Sequence, residues 1–116
     1  MKTISVILGC DLRSGHNGLG MLMKQKKIGE LKEGEAVVFI NRSKDKMKVL
    51  AHNGVLSYIK SKHGIDMNVL DEIPRAIDRN GVMNYRAALR RSLEKRLGEK
   101  RRFAQMSVLG SRQKNV

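Results

Sequence analysis

Basic side chains are the groups in this 116-residue sequence whose chemistry and placement point to a function. Lysine and arginine number 24 against 11 aspartate and glutamate residues, so the formal net charge is +13. An excess of this size predicts attraction to polyanions, either nucleic acid or an anionic membrane. Residues 84–116 hold ten of these cations and two acids, which places +8 of the charge in the last part of the chain.

Catalytic and metal-binding patterns are not evident. The histidines are far apart, and none has a cysteine or a second histidine at ligand spacing; they are His16, His52 and His63. Three aspartates could form a carboxylate set, yet each sits where aspartate commonly caps a helix or turns the chain; they are Asp11, Asp66 and Asp78. The single Cys10 has no evident base partner. We therefore expect no enzyme, no cofactor and no metal.

Phosphate binding is the chemistry that the cations support best. A basic helix face is often only a solvated surface, but here two separate segments of the chain are basic. The helical positions lack the Asn or Gln that reads base edges, so we expect DNA binding with weak sequence preference. RNA stays open as an alternative. The candidate nucleic-acid-binding residues are Arg13, Arg42, Lys48, Lys60, Arg86, Arg90, Arg91, Lys95, Arg101 and Arg102.

The elements that position these cations include three short β-type runs in residues 34–60. Breaks at residues 42–45 and at Asn53-Gly54 separate the runs, and Asn-Gly between apolar runs is a strong hairpin signal. On a strand, Lys46 and Lys48 share one face. Asn41-Arg42-Ser43 is explained equally well by turn formation and by phosphate binding at Arg42.

The whole pattern predicts an α+β fold with a mostly antiparallel sheet. Strands are expected at residues 3–8, 36–41, 46–51 and 55–60, the last three as a three-stranded meander. A helix over about 18–27 should cover one face of the sheet, and Asp66 should cap a short helical turn. A basic helix should follow from about residue 84.

The C-terminal helix has an apolar stripe at every fourth position, formed by Tyr85, Leu89, Leu93 and Leu97. We expect this stripe to pack on the sheet, although a dimer seam is the alternative. The sequence beyond Met106 lacks a pattern and is expected to fray. Residues 1–83 should form an α+β core, with 84–116 as a basic helix and tail of the same single domain.

The cellular compartment is expected to be the cytoplasm. A lone cysteine fits a reducing environment. No stretch has the roughly 18 consecutive apolar residues of a membrane span, and the short apolar run near the N-terminus ends in Asp11-Leu12-Arg13 without a cleavage site. We therefore expect no membrane partner, and the oligomeric state is left open.

Three separated segments of the chain resemble a known family. They are Asp11-Leu12-Arg13-Ser14-Gly15, then Phe39-Ile40-Asn41-Arg42-Ser43 with Met47-Lys48-Val49-Leu50, then Gly54 with Tyr58-Ile59-Lys60. In order and spacing these are similar to the small accessory protein encoded by the second open reading frame of the sixty-six-type bacterial insertion sequences. The likeness covers about residues 6–62, as a distant member, since Ala51-His52 stands where that family has a tryptophan.

The resemblance implies a non-catalytic helper of a separate transposase that contacts DNA or that enzyme. The family supplies no catalytic residues to transfer. A second class of function is also open, in which the basic surface of a mobile-element or phage regulator docks on an acidic protein partner.

Overall fold

The computed structural model describes residues 3–13 and 15–114 of the chain, with side chains up to residue 100. Its elements form an α+β fold, which confirms the predicted class. In chain order they are β1 (Thr3–Cys10), α1 (His16–Gln25), β2 (Glu35–Asn41), β3 (Lys46–Ala51), β4 (Leu56–Lys60), a 3-10 helix (Met67–Ala76) and α2 (Tyr85–Lys114).

The four strands form one mixed sheet in the order β1-β2-β3-β4. Strands β2, β3 and β4 pair antiparallel, and β1 pairs parallel with β2 because α1 carries the chain back across the sheet. The sheet is thus mostly antiparallel, as predicted. Gly54 in the β3–β4 turn has φ +84°, a conformation that glycine adopts without steric cost.

Both faces of the sheet are covered, because strand residues alternate between them. On one face, Val37 and Phe39 of β2 pack with Leu19 of α1. On the other face, Val38 and Ile40 pack with apolar residues of the 3-10 helix and with the start of α2. Central strand β2 is therefore buried on both sides, and α1 and α2 lie in different layers.

Helix α2 packs mainly against the 3-10 helix, through Ala88 and Ser92. The prediction that the four-residue apolar stripe packs on the sheet is wrong for its second half, because Leu93 is 51% exposed and Leu97 is 41% exposed. The reason is geometric. Each step of four residues advances about 400° around a helix, so the stripe turns away from the buried face by about 40° per step.

The start of the 3-10 helix is fixed by Asp66, which also joins it to α2. The Asp66 carboxylate accepts a hydrogen bond from the Asn68 backbone N–H at 3.0 Å, which confirms the predicted cap. The same side chain accepts a hydrogen bond from Arg96 Nη2 at 3.1 Å, and the Asp66 N–H donates to the Tyr85 hydroxyl. Asp66 thus holds the first turns of α2 to the core.

The far end of α2 extends beyond the point where the sequence pattern ends. Its helical backbone runs to Lys114, whereas fraying was expected after Met106. Within the described part of the chain, no helix is long and apolar enough to cross a membrane.

Candidate nucleic-acid interface

The predicted helical cations project from α2 into solvent. Arg86, Arg90, Arg91 and Lys95 are all exposed, while the helix packs through Ala88 on its other side. The candidates Arg101 and Arg102 also lie on α2, but their side chains are outside the described residues. From residue 86 to residue 100 the helix rises about 21 Å, so the cations form an elongated surface.

Ion pairing leaves most of this surface unneutralised. Arg96 pairs with Asp66 at 3.1 Å and therefore ties α2 to the start of the 3-10 helix. Among the described side chains, the other exposed cations of α2 form no ion pair; they are Arg86, Arg90, Arg91, Lys95 and Lys100. We call these five residues the α2 basic surface. Unpaired exposed cations are available for phosphate contacts.

The remaining predicted cations lie at one end of the sheet, around a groove of about 340 Å³. The groove lies between the β1–α1 loop, the β2–β3 turn and the outer strands. Arg13 and Arg42 line it, together with two residues that the sequence pattern did not predict as site residues, Lys46 and Tyr58. The other lining residues are Cys10, Asp11, Leu12, Asn41 and Ser43.

Lys48 holds one wall of this groove in place instead of lining it. Its Nζ donates a 2.6 Å hydrogen bond to the backbone carbonyl of Leu12. That bond joins strand β3 to the β1–α1 loop, 36 residues apart in sequence. Since a charge-assisted bond of this kind is short and strong, we assign Lys48 to positioning the loop.

Arg13 lies in the same loop and pairs with Asp11. Two guanidinium nitrogens donate to the two carboxylate oxygens, Nε to Oδ1 and Nη2 to Oδ2, each at 3.1 Å. These hydrogen bonds and the backbone N–H of Arg13 hold the pKa of Asp11 below its usual value. Both side chains are largely exposed, so the pair shapes the loop and partly neutralises Asp11 at the groove.

The opposite wall is a turn organised by Asn41. Asn41 Oδ1 accepts hydrogen bonds from the backbone N–H groups of Asp45 and Lys46, each at 3.1 Å. Its Nδ2 donates to Asp45 Oδ1, and this bond, helped by the charges of Lys46 and Lys60, lowers the pKa of Asp45. Asn41 thus makes the turn that its residue type predicts, and Arg42 is exposed at the tip.

Lys60 lies beside the groove, directly opposite Lys46 in the β3–β4 pairing. Tyr58 is opposite Lys48 in the same register, so these side chains share one face of the sheet. That face is the one that α1 covers in part, whereas α2 packs on the other face. The structure therefore brings Arg13, Arg42 and Lys60 to one end of the sheet and separates them from the α2 basic surface.

Sequence reasoning did not include Lys46 and Tyr58 among the site residues, although a signal for both exists. Lys46 lies two positions before Lys48, the spacing of residues on one strand face. Tyr58 is an aromatic residue on a strand, but its 54% exposure is decided by how far α1 reaches over the sheet. That reach cannot be read from local pattern.

A cavity of about 550 Å³ lies at the other end of the sheet. Its lining carries three acids, Glu33, Glu35 and Asp78, against one arginine, Arg79, so its charge suits phosphate less well than that of the groove. The described residues contain no cluster of His, Cys, Asp and Glu that could hold a metal ion. Cys10 is buried, and burial raises the pKa of its thiol, which opposes a role as nucleophile.

Comparisons with known proteins agree with the sequence resemblance. Residues 5–63 match the family model described as IS66 Orf2 like protein, a segment that covers just over half of the chain and contains every residue lining the groove. The α2 basic surface lies after the matched segment. No match to a curated protein or to a solved structure was found. The chain belongs to the IS66 Orf2-like family, which indicates an accessory protein of insertion-sequence transposition.

Proposed function

We propose that this chain is a non-catalytic accessory protein of DNA transposition that binds the phosphate backbone of duplex DNA through α2. The observation that carries the proposal is the α2 basic surface, in which five exposed cations lack an acidic partner among the described side chains. Family membership supplies the context of transposition. Phosphate contacts supply most of the affinity of sequence-independent DNA binding.

The charge distribution supports a backbone contact more than base reading. The described part of α2 presents arginine and lysine outward and no asparagine or glutamine between Tyr85 and Lys100. Without these side chains, few groups are suited to adenine edges. Binding is therefore expected to change little when the duplex sequence is changed.

Salt dependence is the direct test of this proposal. If all five residues of the α2 basic surface contact phosphates, the log–log slope of affinity against salt is about −4.5. Raising monovalent salt fourfold should then weaken binding about 500-fold. The measurement is fluorescence anisotropy of two unrelated 20-base-pair duplexes across a salt series. A slope near zero, or a strong preference for one duplex, would contradict it.

A second candidate function is docking on an acidic protein partner, the transposase being one such partner. The exposed Leu93 and Leu97 favour it, because they lie one turn apart on the same side of α2 as Arg86 and Arg90. An apolar strip with cations beside it suits an amphipathic helix that has acidic flanks. Replacing both leucines with Gln should abolish capture of a transposase and leave duplex affinity unchanged.

A further inference from the structure

The groove at the sheet end combines cations with an exposed aromatic ring. Tyr58 is 54% exposed and lines the groove together with Arg42 and Lys46. Within the described residues, neither cation forms an ion pair. Phe39, on the same sheet face, is fully buried, so Tyr58 is the aromatic residue of this face that a ligand can reach.

The groove is held in shape before any ligand binds. One wall is fixed by the 2.6 Å bond from Lys48 Nζ to the Leu12 carbonyl. The other wall is fixed by Asn41, whose side chain holds the backbone of Asp45 and Lys46. A preformed site loses less entropy when its ligand binds.

The size and charge of the groove restrict its ligand. Its volume of about 340 Å³ lies at the lower end of the roughly 300–1,000 Å³ that small-ligand clefts have. Asp11 is paired with Arg13, which leaves the cations Arg42 and Lys46 in excess. A small planar group next to an anionic group is the chemistry that fits a tyrosine ring beside these cations.

We propose that this groove binds one unpaired nucleotide of single-stranded DNA. The base stacks on Tyr58, and the adjacent phosphodiester lies between Arg42 and Lys46. A paired base is enclosed in its stack and cannot reach the ring, so the site selects unpaired strands. This proposal rests on the proposed function because it takes DNA as the nucleic acid, but the groove lies on the face of the sheet opposite α2.

Two substitutions of Tyr58 separate ring stacking from other effects. Tyr58→Leu removes the ring, and Tyr58→Phe keeps it without the hydroxyl. Loss of one stacked base should weaken binding of a 15-nucleotide oligothymidylate about 5-fold to 150-fold in the Leu variant. The Phe variant should bind like the parent chain. Affinity for a 15-base-pair duplex should stay within about twofold in both, because α2 provides it.

Intrinsic fluorescence gives an independent readout, because the chain has two tyrosines and no tryptophan. Oligothymidylate should quench the parent protein, and Tyr58→Phe should abolish most of that quenching while leaving the affinity intact. Tyr85, which hydrogen-bonds to the Asp66 backbone, is the remaining emitter.

Arg42→Gln provides a test that does not depend on the tyrosine. Arg42 is exposed at the tip of the turn, and loss of its charge should reduce the log–log salt slope for oligothymidylate binding by about 0.7. Unchanged oligothymidylate affinity in Tyr58→Leu, or an equal loss on duplex, would overturn the inference. A duplex slope near zero with Tyr58-dependent oligothymidylate binding would instead reject the proposed function of α2 and leave this site standing.

Discussion

Replacing Asp66 with Ala should loosen the attachment of α2 to the core. The substitution removes the side-chain cap on the Asn68 N–H and the 3.1 Å pair with Arg96. Loss of a helix cap costs about 1 kcal/mol. The ion pair adds only about 0.3 kcal/mol, because the Arg96 and Asp66 side chains are 46% and 28% exposed and water screens them.

The expected total is about 1.3 kcal/mol in the free energy of unfolding, or a fall of about 5 °C in Tm for a chain of this size. Asp66→Asn is the matched control, because Asn caps helices as well as Asp but carries no charge. It should lose only the ion-pair part, about 0.3 kcal/mol. Urea unfolding followed by circular dichroism measures both variants.

The two variants distinguish capping from charge. If Asp66→Asn is as unstable as Asp66→Ala, the hydrogen bond from the Asn68 N–H contributes little to stability, which would contradict the capping role of Asp66. Arg96→Gln should lower the free energy of unfolding as much as Asp66→Asn does. The double variant Asp66→Asn with Arg96→Gln should lower it no further than either single change, because both remove the same ion pair.

Three further changes test the turn at the groove and the backbone. The pKa of Asp45 is lowered, so its charged form stabilises the fold above pH about 4, and this stabilisation is lost as pH falls through the folded-state pKa. Between pH 5 and pH 2, the urea midpoint of the parent chain should therefore fall more than the urea midpoint of Asp45→Asn. Gly20→Ala should stabilise by about 0.5–1 kcal/mol, because a Cβ there meets no atom within 4 Å and Gly20 lies inside α1. Gly81→Ala should destabilise the fold by more than about 1 kcal/mol, because its φ is +86° and the new Cβ would collide with the Asn53 side chain. Equal melting temperatures for Gly20→Ala and Gly81→Ala would contradict these two predictions.

Local pattern was sufficient for the strands and for the 3-10 helix cap. Alternating apolar residues and the Asn53-Gly54 turn located β3 and β4 to within a residue, because both signals act over a few neighbouring positions. Asp66 capped the segment that its position predicts. Helix α1 begins at His16, two residues before the expected start, which is the usual uncertainty of helix ends.

Long-range packing is where sequence reasoning was insufficient. The buried face of α2 is set by the small residues Ala88 and Ser92, which let the helix approach the 3-10 segment closely. The larger Leu93 and Leu97 dominated the sequence pattern, although the structure leaves them exposed. The parallel pairing of β1 with β2 likewise depends on the crossover through α1.

The candidate site was only partly predictable for the same reason. Charge alone predicts Arg13 and Arg42 as site residues, and the structure places both at one groove. The role of Lys48 depends on a carbonyl 36 residues away, which no pattern in its own strand indicates.

The central claim is that α2 is the surface that binds duplex phosphates, and two variants of equal charge test it most directly. One carries Gln at Arg86, Arg90, Arg91 and Lys95, and the other carries Gln at four exposed lysines in and after α1, namely Lys24, Lys26, Lys27 and Lys32. Each lowers the net charge from +13 to +9. The measurement is the log–log salt slope of duplex binding. We expect the α2 variant to lose about 3.6 units of slope and the α1 variant to lose less than about 1 unit. Equal losses in the two variants, or no loss in the α2 variant, would contradict the claim.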